Sequence, residues 1–293
     1  MRRCRPLMGS YAELTLTADL PRSELLALSQ TLFAELDRLD AKFSFHRCDS
    51  ALSALNRRAA AALPADLDDE TAALLRQALR FSAATAGRFD MCVASDLVAL
   101  GHLPAHVGTV APGASWRDLA VQGNRLHVGR AALLDLGGIA KGYAVDRVIA
   151  RVPEGVSATV NLGGDLRMTE WRSVSVDLRG PGLDACAASR MWASAVATSV
   201  AAPGAQLGVL VDPRSGQTGD EAASYSVFAD DAMTADALTK AAMLGLDRDD
   251  LWRAGARALL RIDAAGGVQC WRAQHEPAQE LGSARMASTT GLR

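Results

Sequence analysis

Apolar residues along the chain fall into two rhythms, one of about 3.6 residues and one of about 2, and the changes between them mark out the elements. Residues 11–17 alternate apolar and polar and predict a half-buried strand. Residues 22–42 carry apolar positions at helical spacing behind the start signal Pro21-Arg22-Ser23-Glu24. A second helix is predicted over 67–86, with Asp68, Asp69 and Glu70 suited to the positive end of its dipole. Residues 104–129 are richer in Gly, Pro and His and read as turns with short strands such as 125–128. An apolar strand is expected over 131–136, running through Gly137-Gly138 into an amphipathic helix that ends before Pro153. Five β-rich runs follow, at 157–162, 173–178, 193–198, 208–211 and 224–229, then a helix over 233–246 and a short helical piece at 251–255. Residues 257–263 and 267–271 predict a hairpin. Strands mixed with helices, rather than strict βα repeats, predict an α+β fold, and no repeat recurs at a fixed period. Residues 1–273 read as a single domain, and 274–293, polar and unpatterned, as a disordered tail.

Composition narrows the function. With 293 residues, 49% of them hydrophobic, the chain can bury a substantial core. A net charge of −2 with interspersed signs leaves no basic stripe for nucleic acid. The five cysteines, Cys4, Cys48, Cys92, Cys186 and Cys270, are scattered without a CxxC pair, which fits a reducing compartment better than a disulfide framework or a zinc site. No run approaches the roughly 20 apolar residues of a membrane span. The opening MRRCRPLMGSYAEL has arginines but no apolar segment behind them, so the chain as given reads as cytoplasmic, and as periplasmic if a leader was removed.

The candidate chemistry centres on DLGGIAKGYAVD, residues 135–146. Gly137 and Gly138 permit close backbone approach, the first helical turn has free N–H groups, and Lys141 adds a positive charge; together these suit a phosphate. Paired glycines also serve β-α turns for steric reasons alone. Gly163-Gly164 is a second such turn, open to the same two readings. His102 and His106 flank Pro104, cannot share a helix, and are set aside as metal ligands.

Eight short blocks occur in one order between residues 8 and 238: Met8-Gly9-Ser10, SFHRCDSALSALN (44–56), Gly87-Arg88-Phe89-Asp90, DLGGIAKGYAVD, VNLGGD (160–165), ATS (197–199), DPRSG (212–216) and ADAL (235–238). The series resembles the ApbE family, the FAD:protein FMN transferases. The resemblance implies a two-lobed α+β fold with the flavin nucleotide between the lobes. It implies a reaction in which FMN passes from FAD to a Ser or Thr hydroxyl of an acceptor protein, with release of AMP. It also implies that Met8, Ser44, His46, Asp90, Gly137, Gly138, Lys141, Gly163, Gly164, Thr198 and Ser199 bind the nucleotide, with His46 or its neighbour Phe45 stacking on the flavin ring. Mg²⁺ would be held by Asp236 and the carbonyl of Ala140, with Thr239 the nearest hydroxyl for the third place. Asp236 and Lys240 are the expected catalytic pair.

The chain departs from the family pattern at several of these places. The hydroxyl expected one turn after Asp236 is Lys240, and an ammonium, being a donor only, cannot ligate a metal. Either Thr239 reaches the metal after a small rotation, or Lys240 puts its own charge there and pairs with Asp236; a surface i,i+4 ion pair is the plainer alternative. Val209 stands where the family carries a histidine, Val200 where it carries a glycine, and Cys92 where it carries a threonine. A catalytically weakened FAD carrier, and an FAD pyrophosphatase that uses water to give FMN and AMP, therefore stand beside the transferase.

Overall fold

In the computed structural model, which describes residues 1–182, 186–201, 209–219 and 221–273, the period-two segments form one eight-stranded sheet whose strands lie side by side in chain order. They are β1 (Arg2–Leu7), β2 (Ser10–Thr17), β3 (Ser157–Leu162), β4 (Asp165–Met168), β5 (Ala195–Ala201), β6 (Ala223–Ala229), β7 (Ala256–Asp263) and β8 (Val268–Arg272). Every neighbouring pair is antiparallel. Register follows the alternation: Ala12, Leu14 and Leu16 of β2 are buried opposite Leu162, Val160 and Ala158 of β3. The fold is mixed α+β, as expected. The predicted tail from 274, and Gly208 of the run predicted at 208–211, lie outside the described residues.

Helices cover the sheet. The long excursion between β2 and β3 holds α1 (Arg22–Phe43), α2 (Ala51–Ala59), α3 (Asp69–Ala84), α4 (Ala94–Ala99) and α5 (Ala140–Ile149). It also holds a small sheet of Ala65–Asp66, Leu119–Gln122 and Arg125–Val128. Between β6 and β7 come α6 (Ala232–Met243) and α7 (Arg248–Arg253). Leu25, Leu32, Leu36, Leu39 and Phe43 of α1 recur at helical spacing, and they join Ala144, Val145 and Val148 of α5 and the inner face of β2 in the main core.

Of the predicted runs, 173–178 becomes Ser175–Arg179 of a separate hairpin with Cys186–Arg190, and 208–211 is a strand only at Val211–Asp212; two further differences have clear physical reasons. The basic opening is a strand: Arg3 and Arg5 stack on Phe33 of α1 at 5.4 and 4.4 Å, and Arg5 also donates to the Phe33 carbonyl at 2.8 Å. As an edge strand β1 tolerates Pro6 and presents arginines, which mask its apolar periodicity.

The second difference is 131–136, which is extended but pairs with no strand. Its backbone is satisfied instead by other elements. Leu134 donates to Asn56 Oδ1 at 2.8 Å and accepts from Asn56 Nδ2 at 2.9 Å, so one buried amide side chain takes the place of a ladder neighbour. Leu133 donates to Ser95 Oγ at 3.3 Å and Asp135 to the Met91 carbonyl at 2.8 Å. A mostly apolar run reads alike for a buried strand and for this threaded segment, because both remove backbone and apolar side chains from water.

Candidate active site

Helices α5 and α6 cross in close contact. Gly142 is the reason: a Cβ there would lie 2.3 Å from the carbonyl oxygen of Ala232. The approach lets Gly142 N, in the first turn of α5, donate to Asp236 Oδ2 of α6 at 3.2 Å. Asp146, which closes the DLGGIAKGYAVD block, accepts from the amides of Ala232 and Met233 at 2.9 Å each and so caps α6 from the neighbouring helix.

Four charges meet where these helices reach β4. Lys141 Nζ donates to Asp165 Oδ2 and lies 3.5 Å from Asp236 Oδ2. Lys240 Nζ donates to Asp236 Oδ1 and, at 3.1 Å, to the Asp236 carbonyl. The carboxylate side chains are sealed, at 1% exposed for Asp165 and 0% for Asp236, while the lysines are 25% and 23% exposed. The cluster therefore leaves its lysine side chains partly exposed and keeps its carboxylates inside. Burial raises the Asp165 carboxyl to about 6, with the charge of Asp236 adding to it and Lys141 opposing. For Asp236, burial is outweighed by Lys141, Lys240 and the Gly142 amide, which hold it below the ordinary carboxylate range. Lys141 is likewise held above the ordinary lysine range, since Asp165 and Asp236 overcome its burial.

The lysines open on a cleft of about 380 Å³. Of the residues singled out from the sequence, Asp90, Gly137, Gly138, Lys141, Gly163, Thr198, Ser199 and Lys240 line it together, with Val200 and Val209. Gly163 and Gly164 form the β3–β4 turn with φ of +62° and +98°, and a Cβ on Gly163 would meet Ser10 Oγ at 2.8 Å, so both backbone and space require glycine. Gly164 accepts from Thr198 N at 3.2 Å. Gly138 leaves room for the Phe89 ring and the Lys240 stem, 3.2 and 3.7 Å from where its Cβ would be.

Other members of the set lie apart from the cleft lining. Met8 sits in the β1–β2 turn with φ of 48°, and Ser44 caps the C-terminus of α1. His46 is exposed, whereas Phe45 is buried and packs on His106 at 5.7 Å, so Phe45 belongs to the core and is not open to a flavin ring.

The expected amide cradle is also altered. Of the first-turn amides of α5, that of Ala140 goes to the Leu136 carbonyl at 2.7 Å and that of Gly142 to Asp236. Positive charge reaches the cleft through the two lysines instead. Asp90 lines the cleft, but its two oxygens accept from Cys92 N and Trp116 N at 2.9 Å each, and it holds the chain in place there. Three contributors went unassigned in the sequence. Asp165 stood in the VNLGGD block, Arg88 in the GRFD block, and Asp135 opened the central motif. Asp135 lines the cleft with Oδ1 accepting from Gly137 N at 3.0 Å.

The donors proposed for Mg²⁺ do not fit a divalent ion as placed. Both carboxylate oxygens of Asp236 are engaged by the lysines and the Gly142 amide. Thr239, fully buried, donates to the Asp236 carbonyl at 2.8 Å and pairs with Ser199 Oγ at 2.7 Å. The Lys240–Asp236 pair is thus no surface ion pair. A dication on Asp236 would sit beside an ammonium within about 4 Å, a repulsion on the order of several kcal/mol. Among the described residues, no group of three or more His, Cys, Asp or Glu side chains could hold a metal.

Fold and cleft together define a class: a mixed α+β protein with the ApbE-like arrangement of strands and helices, in which paired glycine turns and two lysines face one cleft. The chain belongs to the ApbE family, whose model matches residues 8–259. It is 26% identical over 298 residues to an FAD:protein FMN transferase of Treponema pallidum, covering 84% of this chain and 79% of that protein. Its structure is similar to the ApbE protein of Thermotoga maritima, with a TM-score of 0.76 and 23% identity over 94% of this chain and 97% of that one. It is likewise similar to the apo form of the Pseudomonas stutzeri flavinyl transferase ApbE, with a TM-score of 0.74 and 25% identity over 94% of each chain. No helix among the described residues is long and apolar enough to cross a membrane.

Proposed function

We propose that this chain transfers FMN from FAD to a Ser or Thr hydroxyl of an acceptor protein and releases AMP. The observation that carries the reading is the pair of partly exposed lysines, Lys141 and Lys240, that line one cleft with the Gly137-Gly138 turn. In the reaction the acceptor oxygen bonds to the FMN phosphorus, the bridging P–O bond breaks with its electrons going to AMP, and the hydroxyl proton is taken up. Such transfer depends on fixed positive charge where the phosphoryl oxygens gather charge. Lys141 and Lys240 supply it, and buried Asp165 and Asp236 hold them in position. Asp135 is the cleft carboxylate suited to accept the proton: it has an oxygen beyond the one bonded to Gly137 N, and burial raises its pKa toward that of a base. Thr198 and Ser199 also line the cleft, their hydroxyls paired with Ser226 Oγ at 2.8 Å and Thr239 Oγ1 at 2.7 Å.

A carrier that binds FAD without transferring FMN is the second reading, favoured by Val200 and Val209 in the lining, since neither side chain can move a proton or bind phosphate. Intact mass spectrometry of a Ser/Thr-containing acceptor domain incubated with the chain and FAD separates them. A mass gain equal to FMN on the acceptor is expected. Bound FAD without that gain supports the carrier, and free FMN with AMP indicates a pyrophosphatase.

A further inference from the structure

We propose that Lys240 is the built-in cation of this cleft, and that its ammonium, together with that of Lys141, takes the part a divalent ion would take against a pyrophosphate. The proposal rests on the flavin-transfer reading for the identity of the anion, and on the geometry of the four-charge cluster for the exclusion of metal.

Lys240 follows Asp236 by one helical turn on the same face, so its stem needs no distortion to bring Nζ onto the carboxylate. Two acceptors of one residue, Asp236 Oδ1 and the Asp236 carbonyl, fix the ammonium. An ammonium has three donors, which leaves a third N–H for a ligand oxygen. Its Cε lies 3.7 Å from the point where a Cβ of Gly138 would be, which sets the charge against the glycine turn, where a phosphate can approach backbone closely. The charges also balance. Asp165 and Asp236 offset Lys141 and Lys240, so the cluster is neutral with every carboxylate oxygen but one engaged; the exception, Asp165 Oδ1, is buried without a partner. A divalent ion would add two positive charges to a four-charge cluster that is already neutral, with Asp135 the nearby cleft carboxylate that keeps an oxygen free, whereas a pyrophosphate would meet two lysines already fixed on buried carboxylates. Magnesium in particular prefers oxygen ligands in near-octahedral array at about 2.0–2.1 Å, and Lys240 occupies that approach to Asp236.

The test uses the full chain in two arms. In the first, Mn²⁺ is titrated without flavin and followed by its electron paramagnetic resonance. Wild type is expected to hold no stoichiometric Mn²⁺, and Lys240→Thr, which restores an oxygen one turn after Asp236, to hold one ion per chain. One tightly held Mn²⁺ per wild-type chain would overturn the proposal. In the second arm, FAD affinity is measured with Mg²⁺ and with chelator. Wild type is expected to change by less than about twofold, and Lys240→Met to bind about tenfold more weakly under both conditions. Metal-dependent FAD binding by wild type, or undiminished binding by a folded Lys240→Met, would overturn it. The manganese arm involves no flavin, so it decides the cation question even if the acceptor assay of the previous section fails.

Discussion

The amide of Gly142 points at the carboxylate of Asp236, 3.2 Å away, and together with the Asp146 cap it joins the two helices that carry both cleft lysines. An α5 first-turn donor that could have faced a ligand is spent on a neighbouring helix, and the burial of Asp236 follows from it. The bond exists only because the residue at 142 has no side chain.

Gly142→Ala is therefore expected to force α5 and α6 apart. The obstructing atom is backbone, which cannot rotate away, so the cost should be at least about 2–3 kcal/mol by urea unfolding. Flavin affinity should fall with it as Asp236 loses its amide. Unchanged stability would show that the helices slide freely.

Lys141→Met leaves Asp165 and Asp236 buried without their shared cation. A loss of about 3–5 kcal/mol is expected. Adding Asp165→Asn should recover a large part of it. The pH dependence has a definite sign: Asp165 is raised to about 6 in the folded chain, so the native state binds its proton more tightly than the unfolded state does. Its contribution to stability therefore increases as pH falls through about 6 toward its unfolded value, and in Lys141→Met, without the ammonium that lowers it, that rise should begin at higher pH and be larger. A melting temperature flat between about pH 8 and about pH 5 in that variant would refute the assignment.

Asp146→Ala removes the acceptor of two α6 amides and the partner of Arg167, which donates to it at 2.7 Å. About 1–3 kcal/mol should be lost. Asp146→Asn, with one acceptor oxygen instead of two, should fall between. Equal stability of all three proteins would mean that water replaces the cap.

Glu70 ties α3 to α1 and α5 through Arg38, Lys42 and Tyr143, at 2.7, 2.7 and 3.0 Å. The Arg38 hydrogen bonds, ahead of the opposing burial, bring its carboxyl down to about 2. Because the folded pKa is depressed, the stabilisation is complete above the unfolded value of 4.5 and is lost as pH falls from there toward about 2. Glu70→Gln should cost on the order of 2 kcal/mol at neutral pH, and the gap to wild type should narrow below pH 4.5 and close only as pH reaches about 2. A constant gap in denaturation titrations across that range would exclude this role.

Local pattern determined a good deal of this protein. The alternation of Ala12, Leu14 and Leu16 and the helical recurrence of Leu32, Leu36 and Leu39 produce β2 and α1, because each period leaves one face that must leave water. The ordered blocks also hold seven of the named residues that line one cleft, since glycine turns and strand ends recur at fixed chain positions. Tertiary structure alone decided what long-range partners control. Residues 131–136 are held by Asn56, 78 residues from Leu134 in the chain, and no local period encodes such a partner. Asp146 became a cap for a helix 86 residues away. Whether Lys240 would lie in solvent or against a buried carboxylate depended on how closely α5 could approach α6. Gly142 settles that by steric contact, a property of two surfaces in space rather than of either stretch of sequence.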